Sequence, residues 1–186
     1  TDKETIMTGS IADFKSSFKT DLARSNRFDV IITPPLNLLS LAPMTSKKLS
    51  YRCEISQLPG RTFATTDRKT YGPIEKLPYL TTYNDIDMTF LIDGDMSGKY
   101  FFDSWMDLVN PKQTNNFGYR NEYATTIRIN QYGVDNKLTY SAELYDAYPI
   151  SMNQLDLDWA SEDVHKLTIS FAFTKWQNDS ITNYIF

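Results

Sequence analysis

Apolar positions recur mostly at every second residue over the middle of the chain, the period of strands with one buried face. Phe28, Val30 and Ile32 begin the series, and Pro34-Pro35 ends that run. Leu49, Tyr51, Cys53 and Ile55 alternate with Ser50, Arg52, Glu54 and Ser56, which predicts a second strand over 49–57. Leu58-Pro59-Gly60 closes it as a turn. Residues 62–66 and 68–77 predict a hairpin with Asp67 near its turn. Ile86, Met88, Phe90 and Ile92 alternate cleanly until Asp93-Gly94-Asp95. Residues 122–133 and 137–148 predict a long hairpin joined at Val134-Asp135-Asn136, and Pro149 predicts its interruption. A last strand over 164–176 puts Leu167, Ile169, Phe171 and Phe173 on one face.

Two segments carry a helical period instead. Tyr100, Phe101, Trp105, Leu108 and Val109 predict a helix opened by Ser97 and ended by Asn110-Pro111. Ile11, Phe14, Phe18 and Leu22 predict a weaker amphipathic helix near the N-terminus. The apolar stretch 36–44, bracketed by prolines, reads as a loop with anchoring leucines. The expected architecture is mainly β: a two-sheet β-sandwich or partly open barrel with one α-helix over an opening. Cys53, Phe90, Trp105, Leu144, Ile169 and Phe171 form its expected core.

Composition supports that reading and removes several functions. Aromatics make up 14% of the 186 residues, which favours pleated sheet surfaces. The net charge of −4 lacks the basic surplus of a phosphate-gripping protein. Lys47-Lys48 and Arg68-Lys69 are isolated pairs that read as solvated loops. The single cysteine, Cys53, excludes a disulfide within the chain and reads as a small buried hydrophobe. The single histidine, His165, has no nucleophile motif beside it, and one Cys with one His cannot build a zinc site. Asp93-Gly94-Asp95 lacks the further ligands of a calcium loop. Asp85 with Asp87, and Asp156 with Asp158, alternate with apolar residues as a strand's solvent face does. No catalytic, cofactor-binding or metal site is expected, no enzyme activity and no cofactor. No signal peptide and no membrane span is expected either.

The order of segments resembles the tail tube protein family of T4-like contractile-tailed bacteriophages. Ala23-Arg24-Ser25-Asn26-Arg27-Phe28 leads into the first strand, and Tyr51-Arg52-Cys53-Glu54 leads to Leu58-Pro59-Gly60. Phe102-Asp103-Ser104-Trp105 marks the helix. Leu144-Tyr145-Asp146-Ala147-Tyr148-Pro149, Leu155-Asp156-Leu157-Asp158-Trp159 and Phe171-Ala172-Phe173-Thr174-Lys175-Trp176 follow. The resemblance covers residues 23–176 and divides the chain into an N-terminal segment 1–22, helical or ordered by assembly, a tube-like domain 23–176 and an extension 177–186. The stretch 34–46 looks longer than the family's corresponding loop.

The resemblance implies a structural virion protein whose hexameric rings stack into a tube, with inner strands joining one ring-spanning barrel. It implies ejection of DNA through the lumen without specific binding, inside a contractile sheath. Implied partners are copies of itself, the tail sheath protein, and the baseplate tube initiator and tail terminator proteins, with no membrane. The implied location is the virion tail, assembled in the host cytoplasm. Polar strand parities make Ser50, Arg52, Glu54, Ser56, Thr126, Arg128, Asn130, Thr139, Ser141 and Glu143 the lumen-facing candidates. The irregular segment 61–84 makes Arg61, Phe63, Arg68, Tyr71, Lys76, Tyr79 and Tyr83 the candidates for an inter-subunit arm. The alternatives are a baseplate tube initiator, the tube of a phage-like injection machine, and a β-sandwich module stacking glycans or peptides on Tyr79, Tyr83 and Tyr119.

Overall fold

The computed structural model describes residues 22–39, 43–160 and 162–179, with isolated positions 11, 14 and 16. Those three positions are helical, and the rest of the expected N-terminal helix up to residue 21 lies outside the described residues, as does most of the C-terminal extension.

Strands β1 (Phe28–Ile32), β2 (Cys53–Ser56), β5 (Ile86–Leu91), β6 (Thr125–Tyr132), β7 (Leu138–Met152), β8 (Lys166–Ala172) and β9 (Lys175–Asn178) form one sheet system. Its order is β1-β6-β7-β8-β5-β2, with β9 also paired to β7. The remaining strands, β3 (Thr62–Arg68) and β4 (Glu75–Thr82), pair with each other in a separate two-stranded sheet among the described residues. The main system bends at β7. Its first part, through Ala147, pairs with β6 and β9, and its end from Tyr148 pairs with β8. One long strand therefore belongs to two layers, and the monomer is a partly open sandwich.

Asp146 makes the bend. Its φ of 55° is left-handed, and the register slips there, so that Ile127 faces Leu144 while Thr125 faces Ala147. This β-bulge shifts the buried parity from Ala142 and Leu144 to Ala147 and Pro149. Pro149 does not interrupt the strand as expected. Beyond Ala147, β7 has lost β6 on one flank, and a second register shift follows Pro149. A ring without an N–H is tolerated in such one-sided, bulged stretches.

The last expected strand is likewise two. β8 ends at Ala172, and Thr174 N–H donates to Tyr145 O at 3.0 Å as the chain crosses layers. β9 then sets Trp176 opposite Leu144. The hairpin β3–β4 is longer than its sequence signals indicated, running on to Thr82 with its turn over residues 69–74. Gly72, at φ 112°, supplies a turn conformation that a side chain would strain.

Two helices flank the core. α2 (Ser97–Val109) inserts Phe101, Phe102 and Trp105, all essentially buried. Trp105 lies 6.3 Å from Phe102 and 6.0 Å from Phe171, and its Nε1–H donates to Tyr123 O at 2.8 Å. That tyrosine ends the short α3 (Arg120–Tyr123). Gly98 allows α2 its close approach: a Cβ there would meet Ile92 at 3.0 Å and Leu49 at 3.1 Å.

The other helix corrects the expectation of a strand over 49–57. Residues Pro43–Arg52 form α1, and only Cys53–Ser56 is strand. A four-step alternation is short enough to fit either period, and Pro43 has the fixed φ favoured at a helix start. In the helix Leu49 is buried, Tyr51 is exposed, and Ser50 Oγ donates to Val30 O. The Arg52 guanidinium pairs with Asp93, which joins α1 to the β5–α2 turn. Cys53 is half-buried against the core rather than within it, whereas Phe90, Trp105, Leu144, Ile169 and Phe171 are core residues as expected.

Candidate functional site: two assembly surfaces

The first surface is the outer face of β1, β6, β7 and β9. Inward residues Val30, Ile32, Ile127, Ile129, Ala142 and Leu144 are buried, so alternation turns the intervening side chains outward. Register then sets them against one another: Arg128 opposite Glu143, Asn130 opposite Ser141, and Asp29 opposite Asn130. Ser141 Oγ donates to Asn130 Oδ1 at 2.8 Å, and Tyr132 OH donates to Asp29 at 3.0 Å. Burial and the Asp29 carboxylate raise the Tyr132 phenol above its ordinary pKa.

Arg128 Nη2 pairs with Glu143 Oε1 at 3.1 Å and with Asp179 Oδ2 at 3.2 Å. Tyr145 OH donates to the second Glu143 oxygen at 2.9 Å, which holds the phenol's pKa above its ordinary value. Lys175 Nζ stands 5.2 Å from the Tyr145 ring centroid.

Six of the lumen-facing candidates fall on β6 and β7. Arg128, Asn130, Ser141 and Glu143 meet directly; Thr126 lies along β6, and Thr139 lies near the β6–β7 turn, bonded to Lys137 O. Asn130 and Ser141 are buried in the monomer. The other four are not brought to this group. Ser50 and Arg52 belong to α1, so the strand parity assigned to them does not exist. Glu54 and Ser56 lie on β2, at the far end of the strand order. There Glu54 pairs with Lys166 at 2.7 Å, and Ser56 Oγ is buried without a partner.

The second surface is the β3–β4 hairpin. Of its fifteen strand residues (seven in β3, eight in β4) all but Ala64 are exposed. Phe63, Ile74, Tyr79 and Leu80 are each more than half exposed, as is Tyr71 at the turn. Among the described residues the body holds the hairpin near its base. Trp176 Nε1–H donates to Gly60 O at 3.1 Å, the Arg61 guanidinium lies 5.5 Å from the Trp176 centroid, and Tyr83 packs on Phe173. Thus Arg61 and Tyr83 secure the base, while Phe63, Arg68, Tyr71, Lys76 and Tyr79 lie out along the ribbon. Of the three tyrosines weighed for ligand stacking, Tyr83 is therefore engaged within the fold.

Residues that resemble reactive groups have structural partners. Burial pushes the Cys53 thiol up to about 12, so it stays protonated and unreactive. His165 is half-buried and its carbonyl receives Ile92 N–H at 3.1 Å. In Asp93-Gly94-Asp95 one carboxylate pairs with Arg52 and the other accepts Ser97 N–H at 3.1 Å. The Ser97 bonds hold Asp95 below the usual carboxylate range. Among the described residues no three His, Cys, Asp or Glu side chains cluster as a metal site would require. No helix among them is long and apolar enough to cross a membrane.

Fold and surfaces together define a sheet protein organised around exposed faces and a projecting two-stranded ribbon. Several solved structures from contractile injection machines share this fold. The tube-terminating cap of the anti-feeding prophage aligns at TM-score 0.62 and 15% identity, over 86% of this chain and 92% of that one. The sheath-tube complex of an extracellular contractile injection system aligns at 0.62 and 14%, over 88% and 96%. That system's sheath/tube terminator aligns at 0.61 and 13%, over 87% and 99%. Among curated proteins none matches by sequence. The chain belongs to the phage tail tube protein family, whose pattern matches residues 23–179.

Proposed function

We propose that this chain is a subunit of a contractile tail's tube, forming hexameric rings that stack inside the sheath and let DNA leave through the bore. The observation that carries the reading is the exposed β3–β4 ribbon. A two-stranded hairpin is marginal in water on its own, and this one exposes apolar residues along its length. A neighbouring subunit supplies the missing surface. Among the described residues the layer β1-β6-β7-β9 ends in β1 and β9, each paired on one side only. Head-to-tail pairing of such edges closes a ring and removes them from solvent.

In this assembly the outer face of β1, β6, β7 and β9 lines the bore, with Thr126, Arg128, Asn130, Thr139, Ser141 and Glu143 toward it. The ribbon residues Phe63, Arg68, Tyr71, Lys76 and Tyr79 contact the neighbour. Sheath, baseplate initiator and terminator are the outer and end partners, and the chain acts as structure rather than as an enzyme.

Electron microscopy of the purified protein tests this directly. Rings or tubes are expected, and a monomer at all concentrations refutes the reading. A second reading, a single-ring end component, is favoured by the likeness to two terminators, which equals the likeness to the tube complex. Copy number per particle separates them: many rings for a tube protein, one for an end component.

A further inference from the structure

Arg128 and Lys175 are the only cationic residues in β1, β6, β7 and β9. A guanidinium on a face that DNA slides along is a liability, because each phosphate contact adds salt-sensitive affinity. The structure shows what opposes it. Arg128 Nη2 is held by Glu143 and Asp179 at 3.1 and 3.2 Å, and Tyr145 OH fixes the Glu143 carboxylate from its other oxygen. Lys175 is drawn over the Tyr145 ring. At the adjoining turn Lys137 pairs with Asp135 at 3.3 Å, and Arg27 donates to Gly133 O, Val134 O and Asn136 Oδ1.

We propose that Glu143 and Asp179 are a built-in counterion clamp on Arg128, positioned by Tyr145, that withholds this guanidinium from the phosphodiester backbone. This rests on the assignment of the face to the bore. A single exposed ion pair exchanges readily with solvent ions. Here two carboxylates share one guanidinium nitrogen, and the Glu143 side chain is only 17% exposed. A phosphate must displace both carboxylates to take that nitrogen, and the two anions beside it repel a phosphate from the other guanidinium donors. The clamp keeps the stabilising charge of an arginine in the sheet without creating a DNA site.

The test compares Glu143→Gln with Asp179→Asn in one chain, the same pair with Arg128→Ala added, and an Asp156→Asn, Asp158→Asn control of equal charge change on the β7–β8 loop. Binding of a short labelled duplex is read by fluorescence anisotropy on the assembled rings, with microscopy and thermal melts on each protein. The wild type and the control are expected not to bind. The unclamped variant should bind with an affinity that falls about a thousandfold between about 50 and 200 mM salt, as six freed phosphate contacts per ring require. Arg128→Ala should abolish that binding. No binding by the unclamped protein, retention after Arg128→Ala, or equal binding by the control would overturn the proposal. If the paired variant does not fold, Tyr145→Phe, which only loosens Glu143, must give a smaller gain of the same sign. Rings without any gain in binding refute the clamp and leave the tube reading intact. Absence of rings in the wild type refutes the tube reading, and the binding comparison on monomers, with a salt slope near one, still decides the clamp.

Discussion

Phe171→Ala probes the element on which both layers depend. Phe171 is fully buried, pairs with Ile86 on one side and Pro149 on the other, and meets Phe102 at 6.3 Å and Trp105 at 6.0 Å. Removing a buried phenyl ring costs about 3–5 kcal/mol, combining lost transfer energy with the cavity left behind. Each lost aromatic pair adds about 0.5–1.5 kcal/mol beyond burial. The cavity cannot collapse easily, because its walls are rings held on α2, with Trp105 Nε1 fixed on Tyr123 O. We therefore expect the upper half of that range, about 4–5 kcal/mol. The assay is urea unfolding of dilute, unassembled protein. With a slope of about 2 kcal/mol per molar, the midpoint should fall by about 2 M at unchanged slope. A loss below about 1 kcal/mol would show that β8 does not carry the core, and the layer assignment would fail. Phe63→Ala, on the exposed ribbon, is the control and should stay within about 0.5 kcal/mol.

Other outcomes follow from the same geometry. Replacing residues 63–81 by a short flexible loop should leave a folded monomer that no longer polymerises; tubes from that protein, seen by microscopy, would remove the arm assignment. Trp105→Phe strands the Tyr123 carbonyl, and should lower stability by about 1–3 kcal/mol in the same urea assay. Cys53 should resist iodoacetamide at pH 8 until urea is added, and rapid native labelling would contradict its raised pKa. Above the ordinary thiol value of 9.0 the unfolded chain releases that proton, while the folded chain keeps it up to about 12. The unfolded state then binds fewer protons, so stability falls with rising pH across that window. Cys53→Ala should flatten the fall, as read from urea midpoints at stepped pH.

The period-two runs at 28–32, 86–91 and 166–172 and the helix at 97–109 were legible in the sequence because residues within each segment encode them. Face assignment on β6 and the start of β7 was legible for the same reason: alternation needs only neighbouring residues and one apolar side. The family order was legible too, since it rests on local motifs. What surrounds each segment was not. Residues 49–52 alternate, yet fold as helix because Leu49, Ser50 and Arg52 find partners in Gly98, Val30 and Asp93, distant in sequence. The left-handed turn at Asp146, the passage through Pro149 and the crossing at Thr174 are set by which strand lies on which flank, and no local pattern records that. The Arg128 clamp needs β6, β7 and the residue after β9 side by side. Local chemistry specified the elements; long-range pairing decided the layers, the bend and which charges meet.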